Sequence, residues 1–178
     1  HYLEGNVYAE KRVKLTQKLF KYAGIGEKRL FLEWVSAAEG QRFAEIITSI
    51  TEEVKEQGPF PVEEHRFRLE ALIHTFKSEQ ARWVLGIERM VTEEGNVYGE
   101  TLDPDQYRKF VLRKLIDEYE KSLVYLALKE SPQSVREIAE KVGMKVPHVA
   151  DLVVDLQNKG KVTLSGHEGT VAKFAALG

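Results

Sequence analysis

Leu30-Phe31-Leu32-Glu33-Trp34-Val35 decides how the first third of this 178-residue chain is read. The run is short and apolar except at Glu33, which is the signature of a strand covered on both faces, as in a parallel sheet. A buried helix turn is the alternative. Upstream, Val7, Val13, Leu15, Leu19 and Phe20 recur at helical spacing from Asn6 to about Ala23, with Gly24 and Gly26 where a helix would stop. Downstream, Ser36 with Glu39 three residues later reads as a capping box. Phe43, Ile46, Ile47, Ile50 and Val54 supply the next apolar stripe, which Gly58-Pro59 closes. Helix, buried strand, helix is a piece of an α/β unit. No other segment before the C-terminal region reads as its partner strand, so the rest of the sheet is expected from outside these residues.

The middle of the chain, 59–103, reads as a helical connector. Phe67, Leu69, Leu72, Ile73 and Phe76 form one stripe; Ser78 is placed to cap a helix carrying Trp83, Val84, Ile87 and Met90, with Gly95 as its stop. Asp103-Pro104 opens a longer helix to about Glu130, with Asp as N-cap and Pro at the first helical position. Glu94-Gly95-Asn96-Val97-Tyr98-Gly99-Glu100 nearly repeats Glu4-Gly5-Asn6-Val7-Tyr8-Ala9-Glu10. Their flanks differ, so both are read as similar turn chemistry rather than a duplication.

Residues 104–178 read as a winged helix-turn-helix domain. Ser134-Val135-Arg136-Glu137 is a second capping box, Gly143 ends its helix, and Pro147 opens the next, whose Val149, Leu152, Val153 and Leu156 face inward. Val162-Thr163-Leu164, a turn over Ser165–Gly169, and Val171–Phe174 complete a hairpin wing. A helix that reads DNA presents cations to phosphates and base edges. Residues 146–158 contain no Lys or Arg, and Asp151 and Asp155, four apart, are expected on one face. That argues against nucleic acid as a partner and for protein docking, with a winged-helix transcriptional regulator as the alternative and a scaffold without redox role as a third reading.

Composition narrows the chemistry. A net charge of −2 gives no field that gathers nucleic acid or anionic lipid. No apolar run is long enough for a membrane span, and no signal-peptide pattern occurs, so a cytoplasmic location is expected. With no cysteine, disulfides and thiolate-held clusters are excluded within these residues. His1, His65, His74, His148 and His167 stand at no metal-ligand spacing, and no nucleophile–base pattern is present. Glu63-Glu64-His65 reads as a solvated helix start, His74 as a packed or hydrogen-bonded residue, and Trp34 and Trp83 as core aromatics. No catalytic, cofactor-binding or metal-binding residue is assigned.

His1-Tyr2-Leu3-Glu4-Gly5-Asn6 and Arg29–Glu45, with Glu33-Trp34-Val35-Ser36-Ala37-Ala38-Glu39-Gly40 at their centre, resemble the methyl-viologen-reducing hydrogenase delta (iron–sulfur) subunit family over about residues 1–58. Arg82-Trp83, Gly95-Asn96-Val97-Tyr98-Gly99 and the C-terminal winged helix are similar to its longer members. The resemblance implies an electron-transfer and docking subunit of a hydrogenase/heterodisulfide-reductase-type electron-bifurcating complex, not itself catalytic. Its implied partners are a flavin-containing heterodisulfide-reductase-type subunit, together with a hydrogenase, formate or NADH oxidoreductase module. It also implies a 2Fe–2S cluster on cysteines upstream of His1, the last of them directly before it; none of those ligands falls on this chain. The expected organisation is the C-terminal part of the α/β domain of an iron–sulfur subunit at 1–58, the connector at 59–103 and the winged helix at 104–178.

Overall fold

In the computed structural model, which describes residues 2–177, the chain is mostly helical. Its helices are α1 (Tyr2–Tyr22), α2 (Gly40–Gln57), α3 (Val62–Lys77), α4 (Glu79–Gly86), α5 (Pro104–Glu130), α6 (Val135–Val142) and α7 (Val146–Asn158). One antiparallel pair comes after them, β1 (Val162–Glu168) and β2 (Val171–Ala176). The chain divides into two compact units, residues 1–66 and 67–178, with the boundary inside α3.

The first unit has little core. Leu19, Ala23 and Ile25 are its buried apolar side chains among the described residues, and α2 buries none of its own. The expected buried strand is corrected here. Residues 31–36 have no regular secondary structure and belong to no sheet, and Phe31–Val35 make no backbone–backbone hydrogen bond among the described residues. Residues 30–32 are half-buried and 33–36 exposed, so the run is not covered on both faces. The physical reason is the missing second strand: without a ladder, a continuous apolar run can adopt an extended path but cannot become a sheet. Gln17 instead satisfies the Leu30 carbonyl through its side-chain amide at 2.7 Å. Trp34, expected in a core, is 39% exposed.

The Ser36–Glu39 box forms only in part. Glu39 accepts from the Ser36 backbone N–H at 2.7 Å, but the helix starts at Gly40, and the Glu39 side chain caps none of its backbone N–H groups. The first Gly-Asn copy is corrected as well: Gly5-Asn6-Val7-Tyr8 lies inside α1, not in a turn.

The second unit packs around α5. Val124, Ala127 and Leu128 meet Ile138 and Ala139 of α6, Val149, Leu152, Val153 and Leu156 of α7, and Val162 of β1. Earlier in the unit, Leu115, Tyr119 and Val111 of α5 are buried, as are Leu72 and Val84, and the Tyr107 hydroxyl donates to the Val84 carbonyl at 2.8 Å. Helix ends obey the local chemistry: Ser78 accepts from the Ala81 N–H, Asp103 from the Gln106 N–H, and both halves of the Ser134–Glu137 box are made. Trp83 is no core residue; it is 57% exposed.

The hairpin is longer than its sequence reading. An irregularity between Leu164 and Gly166 lets β1 continue to Glu168, so the turn falls at Gly169-Thr170 rather than over Ser165–Gly169. A bulge absorbs the extra residue that would otherwise end pairing. Gln133 pins the hairpin to the α5–α6 connection, exchanging backbone hydrogen bonds of 2.9 and 2.8 Å with Phe174.

Candidate docking surfaces

In the first unit, α2 is held mainly by its end. The Arg29 guanidinium donates to the carbonyls of Gln57 (3.2 Å) and Gly58 (3.3 Å) and lies over the Phe60 ring, while Gln57 donates to the Lys28 carbonyl at 3.1 Å. A cation at the carbonyl end of a helix complements its dipole. The body of α2 is less covered: Ile46 and Ile50 are half-buried, and Phe43, Ile47 and Val54 are each about half exposed. Positions 43, 47, 50 and 54 fall on one face. Beside the N-terminal end of α2, a shallow concavity of about 430 Å³ is lined by Asn6, Val7, Trp34, Val35, Ser36 and Arg42, among others. Glu39 at its edge is held below the usual carboxylate range by the Ser36 N–H and then by Arg42. Half-exposed aliphatic and aromatic groups beside a fixed ion pair form a surface that another protein can cover.

His65, read from sequence as part of a solvated helix start, is instead partly buried and stacked on Phe60, with ring centroids 5.1 Å apart. No group of three His, Asp or Glu residues among the described residues could hold a metal ion.

The second unit contains a half-open cleft of about 680 Å³, whose lining includes His74, Lys77, Trp83, Tyr125, Lys159 and Lys161. His74 is packed and hydrogen-bonded as its sequence position suggested: Nδ1 lies 3.0 Å from the Ser122 hydroxyl and the ring stacks on Tyr125 at 5.2 Å. Burial, then Lys161, keeps its pKa below the ordinary imidazole value. The hydroxyls beside it are turned into helix backbone, Ser122 to the Glu118 carbonyl at 2.8 Å and Thr75 to Ala71 at 2.7 Å. Bonded this way they serve packing, since an activated nucleophile needs its proton directed to a base.

Next to the cleft, Lys121 joins α5 to α7. Its ammonium sits 2.7 Å from Asp117 and 2.6 Å from Asp155, and Lys159 reaches Asp155 at 3.1 Å. Burial works against the charge on Lys121, but the two aspartates outweigh it and hold its pKa above the usual lysine range. Asp155 therefore does not share an outward face with Asp151. It is half-buried and paired, while Asp151 is exposed along with Pro147, Val154 and Asn158. His148 is likewise engaged, by Glu120 at 2.8 Å. The spacing of four had suggested a common face, but the pair straddles the edge of the helix–helix contact.

Sequence reasoning missed the roles of Gln17, Lys121 and Gln133, which act across large sequence separations and leave no periodic signal. The turn over 95–100, by contrast, falls where Gly-Asn and Gly99 signalled one.

Comparison with known proteins singles out the first unit. The family model for the delta subunit of methyl-viologen-reducing hydrogenase matches residues 1–58. The chain is 44% identical over 63 residues to the iron–sulfur subunit of an F420-non-reducing hydrogenase from Archaeoglobus profundus, covering 35% of this chain and 46% of that protein. It is 44% identical over 59 residues to one subunit of the ferredoxin:CoB-CoM heterodisulfide reductase of Methanosarcina mazei, covering 33% of this chain and 7% of that protein. The iron–sulfur subunit of the vhu F420-non-reducing hydrogenase of Methanococcus maripaludis matches at 38% over 58 residues, 33% of this chain and 43% of that protein. The matched region thus spans less than half of these hydrogenase subunits. No solved structure matches the chain.

Proposed function

We propose that this chain is part of an electron-transfer and docking subunit of a hydrogenase/heterodisulfide-reductase-type complex of the electron-bifurcating kind. One observation carries the reading: the residues similar to hydrogenase and heterodisulfide-reductase subunits, 1–58, make a unit with a small core and a half-exposed apolar face on α2. Groups that a free protein would bury are left for a neighbour. The relatives named as iron–sulfur subunits support an iron–sulfur cluster in the whole subunit, and the type proposed is 2Fe–2S. These 178 residues contain no cysteine, so its thiolates lie outside them. In this reading 1–58 is the C-terminal part of the iron–sulfur subunit's domain, and 104–178 is a winged helix after the connector 59–103. The outward face of α7, with Asp151 and Val154 and no cation, supports a protein partner for that domain. The partners are a flavin-containing heterodisulfide-reductase-type subunit, together with a hydrogenase, formate or NADH module.

Affinity purification of the tagged full-length subunit from its native host tests this, with mass spectrometry of its companions and iron determination. Recovery with such an oxidoreductase and with bound iron is expected. A subunit recovered alone and without iron would overturn the proposal. No helix among the described residues is long and apolar enough to cross a membrane.

A further inference from the structure

Between α4 and α5 the chain builds a loop that locks itself. A wide turn over Met90–Glu94 ends at Gly95, whose N–H donates to the Met90 carbonyl at 2.8 Å. Asn96 then organises the residues up to Glu100. Its Oδ1 accepts from the backbone N–H groups of Tyr98 (2.9 Å) and Glu100 (3.1 Å), and its Nδ2 donates to the Glu100 carboxylate at 2.9 Å. The Gly99 N–H donates to the Asn96 carbonyl at 2.9 Å, the Asn96 N–H to the Glu100 carbonyl at 3.0 Å, and the Leu102 N–H to the Val91 carbonyl at 2.8 Å, closing the base. Gly95 has φ 79°, and a Cβ there would stand 3.0 Å from the Glu100 carbonyl oxygen, so the close approach requires glycine.

The side chains at the tip contribute nothing to this lock. Val97 is 94% exposed and Tyr98 84%, and Met90 and Leu102 near the base are about half exposed. Single exposed apolar residues are ordinary. An adjacent aliphatic and aromatic pair, held out on a loop whose backbone is hydrogen-bonded within itself, is a preorganised anchor, because little order remains to be lost on binding. Tyrosine at the centre of an interface is a frequent anchor of binding energy. The charge around the pair indicates what it meets. Residues 90–107 hold five carboxylates (Glu93, Glu94, Glu100, Asp103 and Asp105) and no Lys, Arg or His. Arg89, outside that span, offsets Glu93 and Glu94 at 3.9 and 3.3 Å, and Arg108 pairs with Asp105. A negative surround repels phosphate backbones and anionic lipid, and it complements a basic protein surface.

We propose that Val97 and Tyr98 insert into an apolar pocket on a partner protein, and that lysine or arginine side chains rim this pocket. The inference rests on the reading that the chain works inside a protein complex, and it adds a contact point in the second unit.

The test places p-benzoylphenylalanine at Tyr98 in the full-length subunit, irradiates the purified complex and sequences the cross-linked peptide. The expected product joins Tyr98 to one companion protein, at apolar residues with Lys or Arg beside them. In parallel, Tyr98→Ala and Gly95→Ala should each weaken binding to that companion, Tyr98→Ala on the order of 30-fold. The wild-type affinity should fall with added salt. Tyr98→Ala should leave the melting temperature unchanged, since its side chain is in water. Cross-linking only to a second copy of this chain, to nucleic acid or to nothing, or an unchanged affinity for Tyr98→Ala, would overturn the inference. The two proposals fail separately. A complex containing hydrogenase- or heterodisulfide-reductase-type subunits but giving no cross-link removes the anchor and keeps the function. A cross-link into a basic-rimmed pocket of an unrelated companion does the reverse.

Discussion

Replacing Phe43 with alanine separates a docking face from a core face, because the two predict different distributions of the same energy. A buried phenylalanine covers about 150–250 Å². Phe43 is about half exposed, so roughly 100 Å² remains to be covered by a neighbour. At about 25 cal/mol per Å² that is worth around 2.5 kcal/mol when a partner docks. Imperfect covering and the ordering of side chains reduce it, and a loss of about 1.5–2 kcal/mol is expected, roughly 10- to 30-fold in affinity. The covered half is already used in the fold. A Phe→Ala change in a full core costs about 3–5 kcal/mol, so the free chain should lose only about 1–2 kcal/mol. The assay is urea denaturation of the full-length protein beside calorimetric titration with the companion subunit, which should also show a less negative heat-capacity change for the variant. Ile47→Ala should show the same division at smaller size. A stability loss of 3–5 kcal/mol with unchanged partner affinity would refute the reasoning and make α2 an ordinary core helix.

Gly99→Ala should loosen the 95–100 loop, because Gly99 has φ 78° and alanine there costs about 1–2 kcal/mol; amide exchange at Gly99 and Glu100 should quicken roughly tenfold while amides of α5 stay unchanged. Glu137 is held at about pKa 2, first by Lys173 and then by Ser134. Its contribution to stability is therefore complete above the ordinary glutamate value and lost as pH falls towards about 2. NMR titration should show Lys173→Met raising that value more than Ser134→Ala, while Ser134→Ala also costs about 0.5–2 kcal/mol as a lost cap. His74 has a lowered pKa, chiefly through burial. As pH falls below the ordinary imidazole value of about 6.5 the unfolded chain takes up a proton first and stability declines. His74→Phe should flatten that part of the pH profile in denaturation at pH 7.5 and 5.5, and an unchanged slope would show that His74 does not contribute to it.

The amino-acid sequence by itself determined the helix ends that depend on near neighbours. Ser78, Asp103 and Ser134 cap where they were read, and Gly143 closes its helix at positive φ. The inward faces of α6 and α7 and the hairpin after them were equally legible, because a period of 3.6 or 2 is written in adjacent residues. Likeness to the hydrogenase delta subunit family was readable in 1–58 for the same reason: it resides in contiguous residues. No constellation of site residues was legible in the sequence, and what the structure adds is surfaces.

Partner-dependent features needed the folded chain. Leu30–Val35 has the composition of a buried strand, yet composition cannot supply a second strand, and without one the run stays unladdered. Trp34, Trp83, Phe43 and Tyr98 look alike in sequence to any core aromatic, and only packing shows them to be exposed. Asp151 and Asp155 seemed equivalent until Lys121, more than thirty residues earlier, took one of them. The near-repeat divides in the same way within five residues. Gly-Asn-Val-Tyr is helix at 5–8 and turn at 95–98. Ala9 comes after the first copy and Gly99 after the second, and only glycine readily takes the left-handed conformation that closes the turn. One methyl group disfavours that turn, while the bond from Leu102 to Val91 at its base comes from the surrounding fold.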